Sequence, residues 1–182
     1  MTEGSPAEAK ASHPLTSPFV PDSGTKDEVS GGWSVREAEA HDAAAAAAAI
    51  GELLVELGGE GPSAVALEEA TRSLIEDPGA GVLLVAEAGG RLVGVLAASW
   101  QFAVHVPGHY GTIQDLWVHP EWRSKAIGRD LMEAFCDVAR RHGAKRVEVG
   151  LPRDDFPNLR ATEGFYLGNG FVPLGPRMRR VL

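Results

Sequence analysis

Val118-His119-Pro120-Glu121-Trp122-Arg123-Ser124-Lys125-Ala126-Ile127-Gly128 joins two different residue patterns. Before it, Gly111 to Val118 reads as a short β-strand. After it, Ile127, Leu131, Phe135, Val138 and His142 recur every three to four residues, opposite Arg129, Asp130, Glu133, Asp137 and Arg140. That spacing predicts an amphipathic helix ended by Gly143. A strand, a basic turn of small residues and a helix start in succession make an anion site. First-turn amides lack intrahelical partners, and the helix dipole adds partial positive charge. Arg123, Lys125 and Arg129 add full charges, so a diphosphate is the natural guest.

Working upstream, Val82 to Ala88 and Leu92 to Trp100 are apolar runs joined by Gly89-Gly90-Arg91, a hairpin signal because glycine tolerates the positive φ of a tight turn. Trp33 to Glu37 predicts a first strand, and Asp42 is placed to cap a helix through the alanine run. Gly58, Gly59, Gly61 and Pro62 break that helix, and Ala64 to Ile75 predicts a second, with Leu67, Ala70 and Leu74 on one face. Downstream, Arg146 to Val149 reads as a buried strand, followed by a helix to about Asn169. Phe171-Val172 and Met178 to Val181 supply two closing strands. Residues 1–32 are rich in Ser, Pro, Gly and charge and read as a flexible N-terminal tail, leaving residues 33–182 as one folded domain.

Bulk properties narrow the partners. At 182 residues and 44% hydrophobic, the chain suits one domain with an ordinary core. A net charge of -8 excludes nucleic acid as the main partner, because phosphate binding needs clustered Lys and Arg; it suits a cationic substrate or simple solubility. The single cysteine, Cys136, excludes an internal disulfide framework and fits a reducing compartment. No apolar run reaches the roughly 18 residues of a membrane span, so a cytoplasmic protein without a membrane partner is expected. His105 and His109 lie four apart, but Val106-Pro107-Gly108 breaks any helix that would align them, so no metal site is expected.

The segment from Val118 to Gly128 resembles the acyl-CoA motif of the GNAT superfamily, written R/Q-x-x-G-x-G/A and preceded by an E-D-L-x-V strand. The resemblance implies a mixed α+β acyl-CoA N-acyltransferase fold: a central, mostly antiparallel sheet with splayed fourth and fifth strands, flanked by helices. It also implies that acetyl-CoA is the co-substrate, held by Arg123, Ser124, Lys125, Ala126, Ile127, Gly128 and Arg129, with its pantetheine arm against Leu116, Trp117 and Val118. Ala126 stands where the family has its central glycine. If that position needs positive φ, alanine costs about 1 kcal/mol.

Tyr166-Leu167-Gly168-Asn169-Gly170-Phe171 is similar to the family's Y-x-x-x-G-F segment, which implies that Tyr166 protonates the departing thiolate. In free solution that transfer is uphill by about 2 kcal/mol, within reach of a positioned hydrogen bond. The upstream N-x-x-A element is altered, with Thr162 in the alanine position and Asn158 one residue too far. For the base, Gln114 stands where relatives often place glutamate and cannot serve. Asp115 is the candidate, though it should face the opposite side of the strand unless a bulge intervenes. His105, His109 and His119 are secondary relays, and Trp100, Trp117 and Trp122 either line an acceptor pocket or pack. The expected activity is acetyl transfer to the primary amine of a small molecule. A CoA-binding module without catalysis and a protein or peptide N-acetyltransferase stand as alternatives. Acceptor identity and oligomeric state, a homodimer included, are open.

Overall fold

The structure, a computed structural model, describes residues 32–58, 61–105 and 108–175. The N-terminal tail through residue 31, Gly59 and the expected strand Met178 to Val181 lie outside the described residues. Elements run β1 (Ser34–Glu37), α1 (Ala43–Glu56), α2 (Ala64–Glu76), β2 (Gly81–Ala88), β3 (Arg91–Ala103), β4 (Gly108–Val118), α3 (Ile127–Arg141), β5 (Val147–Val149) and α4 (Leu159–Gly168). The sheet order is β1-β2-β3-β4-β5, antiparallel except for the parallel pair β4 and β5. This mixed sheet flanked by helices is the architecture that the resemblance implied.

Two cores explain why β2 and β3 read as unbroken apolar runs, since both faces of the sheet are covered. On one face, Phe135, Leu131, Ile127 and Met132 of α3 pack on Leu84, Leu96 and Ile113, with Tyr166 of α4. On the other, Ala46, Ala49 and Ile50 of α1 pack on Leu83, Val85, Val95, Ala97 and Trp117. Each fully buried large side chain contributes about 1.5–3 kcal/mol of transfer free energy. The alanines of α1 let its backbone lie close to the sheet. The β2–β3 hairpin turns at Gly89 and Gly90, whose φ of 56° and 74° meet the primed-turn requirement.

Four local expectations need correction. Asp42 does stand at the start of α1, but its carboxylate does not cap that helix. It turns back, accepting from Arg36 Nη1 at 2.6 Å and Nη2 at 3.0 Å and from the Glu39 N–H at 2.8 Å. On α2, Ala70 is exposed and Thr71 is buried, so the buried face runs through Leu67, Thr71 and Leu74, at steps of four and three. His142 closes α3 as an exposed residue rather than a core one, stacking on Trp100 at 4.2 Å. Phe171 and Val172 form no strand: Phe171 packs against the core and Val172 is 74% exposed.

The Arg36 guanidinium, against the opposing pull of burial, holds the Asp42 carboxyl below the usual carboxylate range. A depressed carboxyl stabilises the fold above its ordinary pKa, and that stability is lost as pH falls through the depressed value. Asp42→Asn should therefore cost about 2 kcal/mol at neutral pH, read as a lower urea midpoint, and the deficit should close in acid.

Candidate functional site

The parallel pairing of β4 with β5 covers only Gly111, Thr112 and Ile113 against Val147, Glu148 and Val149. Beyond Ile113 the two strands have no register partners in each other, and a cavity of about 730 Å³ occupies the opening. Its walls come from Leu116, Trp117 and Val118 of β4, the turn before α3, the end of α1, and α4 with the loop that precedes it. Of the residues expected to hold the cofactor, Leu116, Trp117, Val118, Arg123, Ser124, Ala126, Ile127, Gly128 and Arg129 line this cavity. Lys125 does not; its ammonium sits 4.5 Å from the centroid of the Trp122 ring.

The turn is tightly wound. Ser124 has φ 63° and Ala126 φ 72°, the only non-glycine residues with positive φ among those described. Left-handed residues set either side of Lys125 give a turn in which successive backbone N–H groups can face a common point, a geometry that suits anions. Ala126 occupies the N-cap position of α3, and no side chain caps the helix. The first-turn amides of Ile127, Gly128 and Arg129 thus have no intrahelical partner. Gly128 faces Phe165 and Val118: a Cβ there would stand 3.4 Å from the Phe165 ring and 3.7 Å from Val118, in ordinary contact.

The condition set on Ala126 is therefore met: its backbone does adopt positive φ. Ala126→Gly should stabilise the protein by about 1 kcal/mol, measured as a raised urea midpoint.

The cations are less free than their sequence positions imply. Arg123 donates from Nε to the Val118 carbonyl at 3.0 Å and from Nη2 to Glu56 of α1 at 2.6 Å. Arg129 lies 3.7 Å from Asp130 and 3.8 Å from Glu133, both loose contacts. Even so, an anion at the helix start meets amides first, with two guanidinium groups lining the same cavity.

Tyr166 is 7% exposed, lines the cavity from α4 and is braced by Phe165 at 5.2 Å and Phe171 at 5.4 Å. Burial, reinforced by the nearby charge of Asp115, pushes its pKa up to about 12. The bulge that Asp115 needed is present. Ala97 pairs with Asp115 and Ala98 with Ile113, so Gln114 is the extra residue. After it, Leu116 and Val118 join the α3 face and Trp117 the α1 face. Asp115 is partly buried, which raises its carboxyl pKa, but it is not on the cavity wall.

Gln114 is on that wall, donating to Ser99 Oγ at 2.8 Å. Trp117 and Trp122 line the cavity, whereas Trp100 is stacked between Phe135 and His142. The Trp117 indole N–H is buried with no partner among the described residues. His119 caps a short 3-10 turn by accepting from the Glu121 N–H, and His109 packs against Phe102 and His142; neither these nor His105 line the cavity. Sequence reasoning did not single out Leu53, Glu56 and Leu57, although their spacing on α1 puts them on one helix face; Phe156, in the loop 151–157 that the sequence sets beside the acceptor cleft, also lines the cavity. Asn158, set aside on spacing, does line the cavity.

A family model described as the acetyltransferase (GNAT) family matches residues 48–171, more than half of the chain. No curated protein matches in sequence. Among solved structures, a possible acetyltransferase from Clostridium difficile 630 is similar at TM-score 0.71 and 18% identity, over 82% of this chain and 97% of that one. A glucosamine-6-phosphate N-acetyltransferase from Arabidopsis thaliana aligns at TM-score 0.64 and 18% identity, with the same coverage of 82% and 97%. An aminoglycoside N-acetyltransferase in complex with CoA aligns at TM-score 0.69 and 13% identity, over 82% of this chain and 94% of that one. At these identities the structural likeness speaks to fold alone.

Proposed function

The chain belongs to the acetyltransferase (GNAT) family, and on that premise we propose that it moves an acetyl group from acetyl-CoA to the primary amine of a small molecule, directly, in a ternary complex. The observation that carries this reading is one continuous cavity, lined at once by the uncapped start of α3 and by Tyr166 in the opening between β4 and β5.

The residues present fit the group. The amides of Ile127, Gly128 and Arg129, with Arg123 and Arg129, suit a diphosphate. Backbone groups of Leu116, Trp117 and Val118, past the end of the β4–β5 pairing, suit the amide-bearing arm. When bound, acetyl-CoA supplies the activated acyl group and the thiol that leaves. Tyr166 holds a proton that its pKa keeps in place throughout the working range, and gives it toward the departing sulfur. Asp115 takes the proton from the acceptor ammonium through water, since it stands behind the wall rather than on it. Its raised pKa makes it a better base than an ordinary aspartate. Such positioning of reactants accounts for several kcal/mol of rate enhancement.

A second reading, a module that binds CoA without catalysis, is favoured by Gln114, a residue on the cavity wall that cannot take up a proton. Thiol titration with a panel of primary amines separates the two. Amine-dependent release of free CoA supports transfer; saturable CoA binding with no release from any amine supports the module.

A further inference from the structure

Resting on the acetyl-transfer reading, we propose that the acceptor is a primary amine of low charge on an apolar body, seated between the end of α1 and the loop from β5 to α4. The cavity wall there includes Leu53 and Leu57 from the end of α1 and Pro152, Phe156 and the neutral Asn158 from the loop, with neutral Gln114 at the bulge of β4. Glu56 is the only carboxylate among the described residues lining the cavity, and Arg123 already neutralises it at 2.6 Å. The loop's own acids stay off the wall: Asp154 and Asp155 are exposed, with Asp155 3.5 Å from Arg153.

The net charge of -8 therefore does not converge on this cavity. A polycation needs several carboxylates facing it, and here it would leave its extra charges against leucine, proline and phenylalanine, unpaired and desolvated. An alkyl or aralkyl chain gains from the same wall.

A homologous series of straight-chain amines from butylamine to octylamine tests this without knowledge of the natural acceptor. Their ammonium groups titrate alike, so the trend reports the wall. Thiol release should give kcat/KM rising about fourfold per methylene, and calorimetric titration of each amine into the CoA complex should follow the same slope. The terminal diamine of octylamine's length should be at least tenfold poorer than octylamine.

Leu57→Asn and Phe156→Asn should each reduce the slope to about twofold per methylene while leaving CoA affinity unchanged. A uniform loss over all the amines would contradict their assignment to the wall. A flat or falling series, a diamine that matches or exceeds octylamine, or turnover of polyamines alone overturns the inference. The transfer reading beneath it fails separately, if no primary amine of any charge releases CoA from the CoA-bound protein or if CoA itself does not bind.

Discussion

Tyr166→Phe should lower kcat about a hundredfold while changing CoA affinity by no more than about twofold. The ring is held between Phe165 and Phe171, and those contacts survive removal of the hydroxyl, so the fold should be as stable as before. An acid near 12 facing an ordinary thiol near 8.5 is roughly 5 kcal/mol uphill in proton transfer. The gap narrows in place, because the burial that raises the phenol acts equally on a sulfur leaving in the same cleft. A group that stays protonated below about pH 11 puts no limb in the pH–rate profile. Tyr166→Phe should therefore lower the whole profile and keep its shape, measured by thiol titration across pH. A changed shape, or an unchanged kcat, would remove Tyr166 from the proton path.

Asp115→Asn should move activity and stability in opposite directions. Burial raises the Asp115 carboxyl, the reverse of Asp42, so its ionisation opposes folding. That stability is lost as pH rises from the ordinary carboxylate pKa through the raised value, and stays lost above it. At neutral pH the substitution should thus raise the urea midpoint, with the gain vanishing in acid where both forms are neutral. The same substitution removes the proposed base and should lower kcat/KM about a hundredfold at neutral pH. A gain in stability with activity intact would mean that Asp115 is buried without being used.

What the sequence disclosed and what it withheld divide along the range of the interactions. The turn from Arg123 to Gly128 was legible because helix starts, small residues and cations signal within a few positions, as did Gly89-Gly90. The bulge at Gln114 was not, since register depends on where β3 places Ala97 and Ala98. Arg123 looked like a free cation because its partner, Glu56, is 67 residues away, on a helix whose contact with the turn no local pattern shows. Lys125 is the exception to that division, a short-range contact that went unread: its ammonium lies over the Trp122 ring only three positions back. Phe171 and Val172 have strand-forming side chains, but no described strand pairs with them.

The turn before α3 as the seat of a diphosphate is tested most directly by side-by-side calorimetric titration with CoA and with pantetheine, which has the arm and the thiol but no diphosphate. Saturable CoA binding in the micromolar range is expected, with pantetheine at least about a hundredfold weaker, as the loss of two or more charge-assisted hydrogen bonds requires. Equal affinities for the two, or no CoA binding at millimolar concentration, would contradict the account.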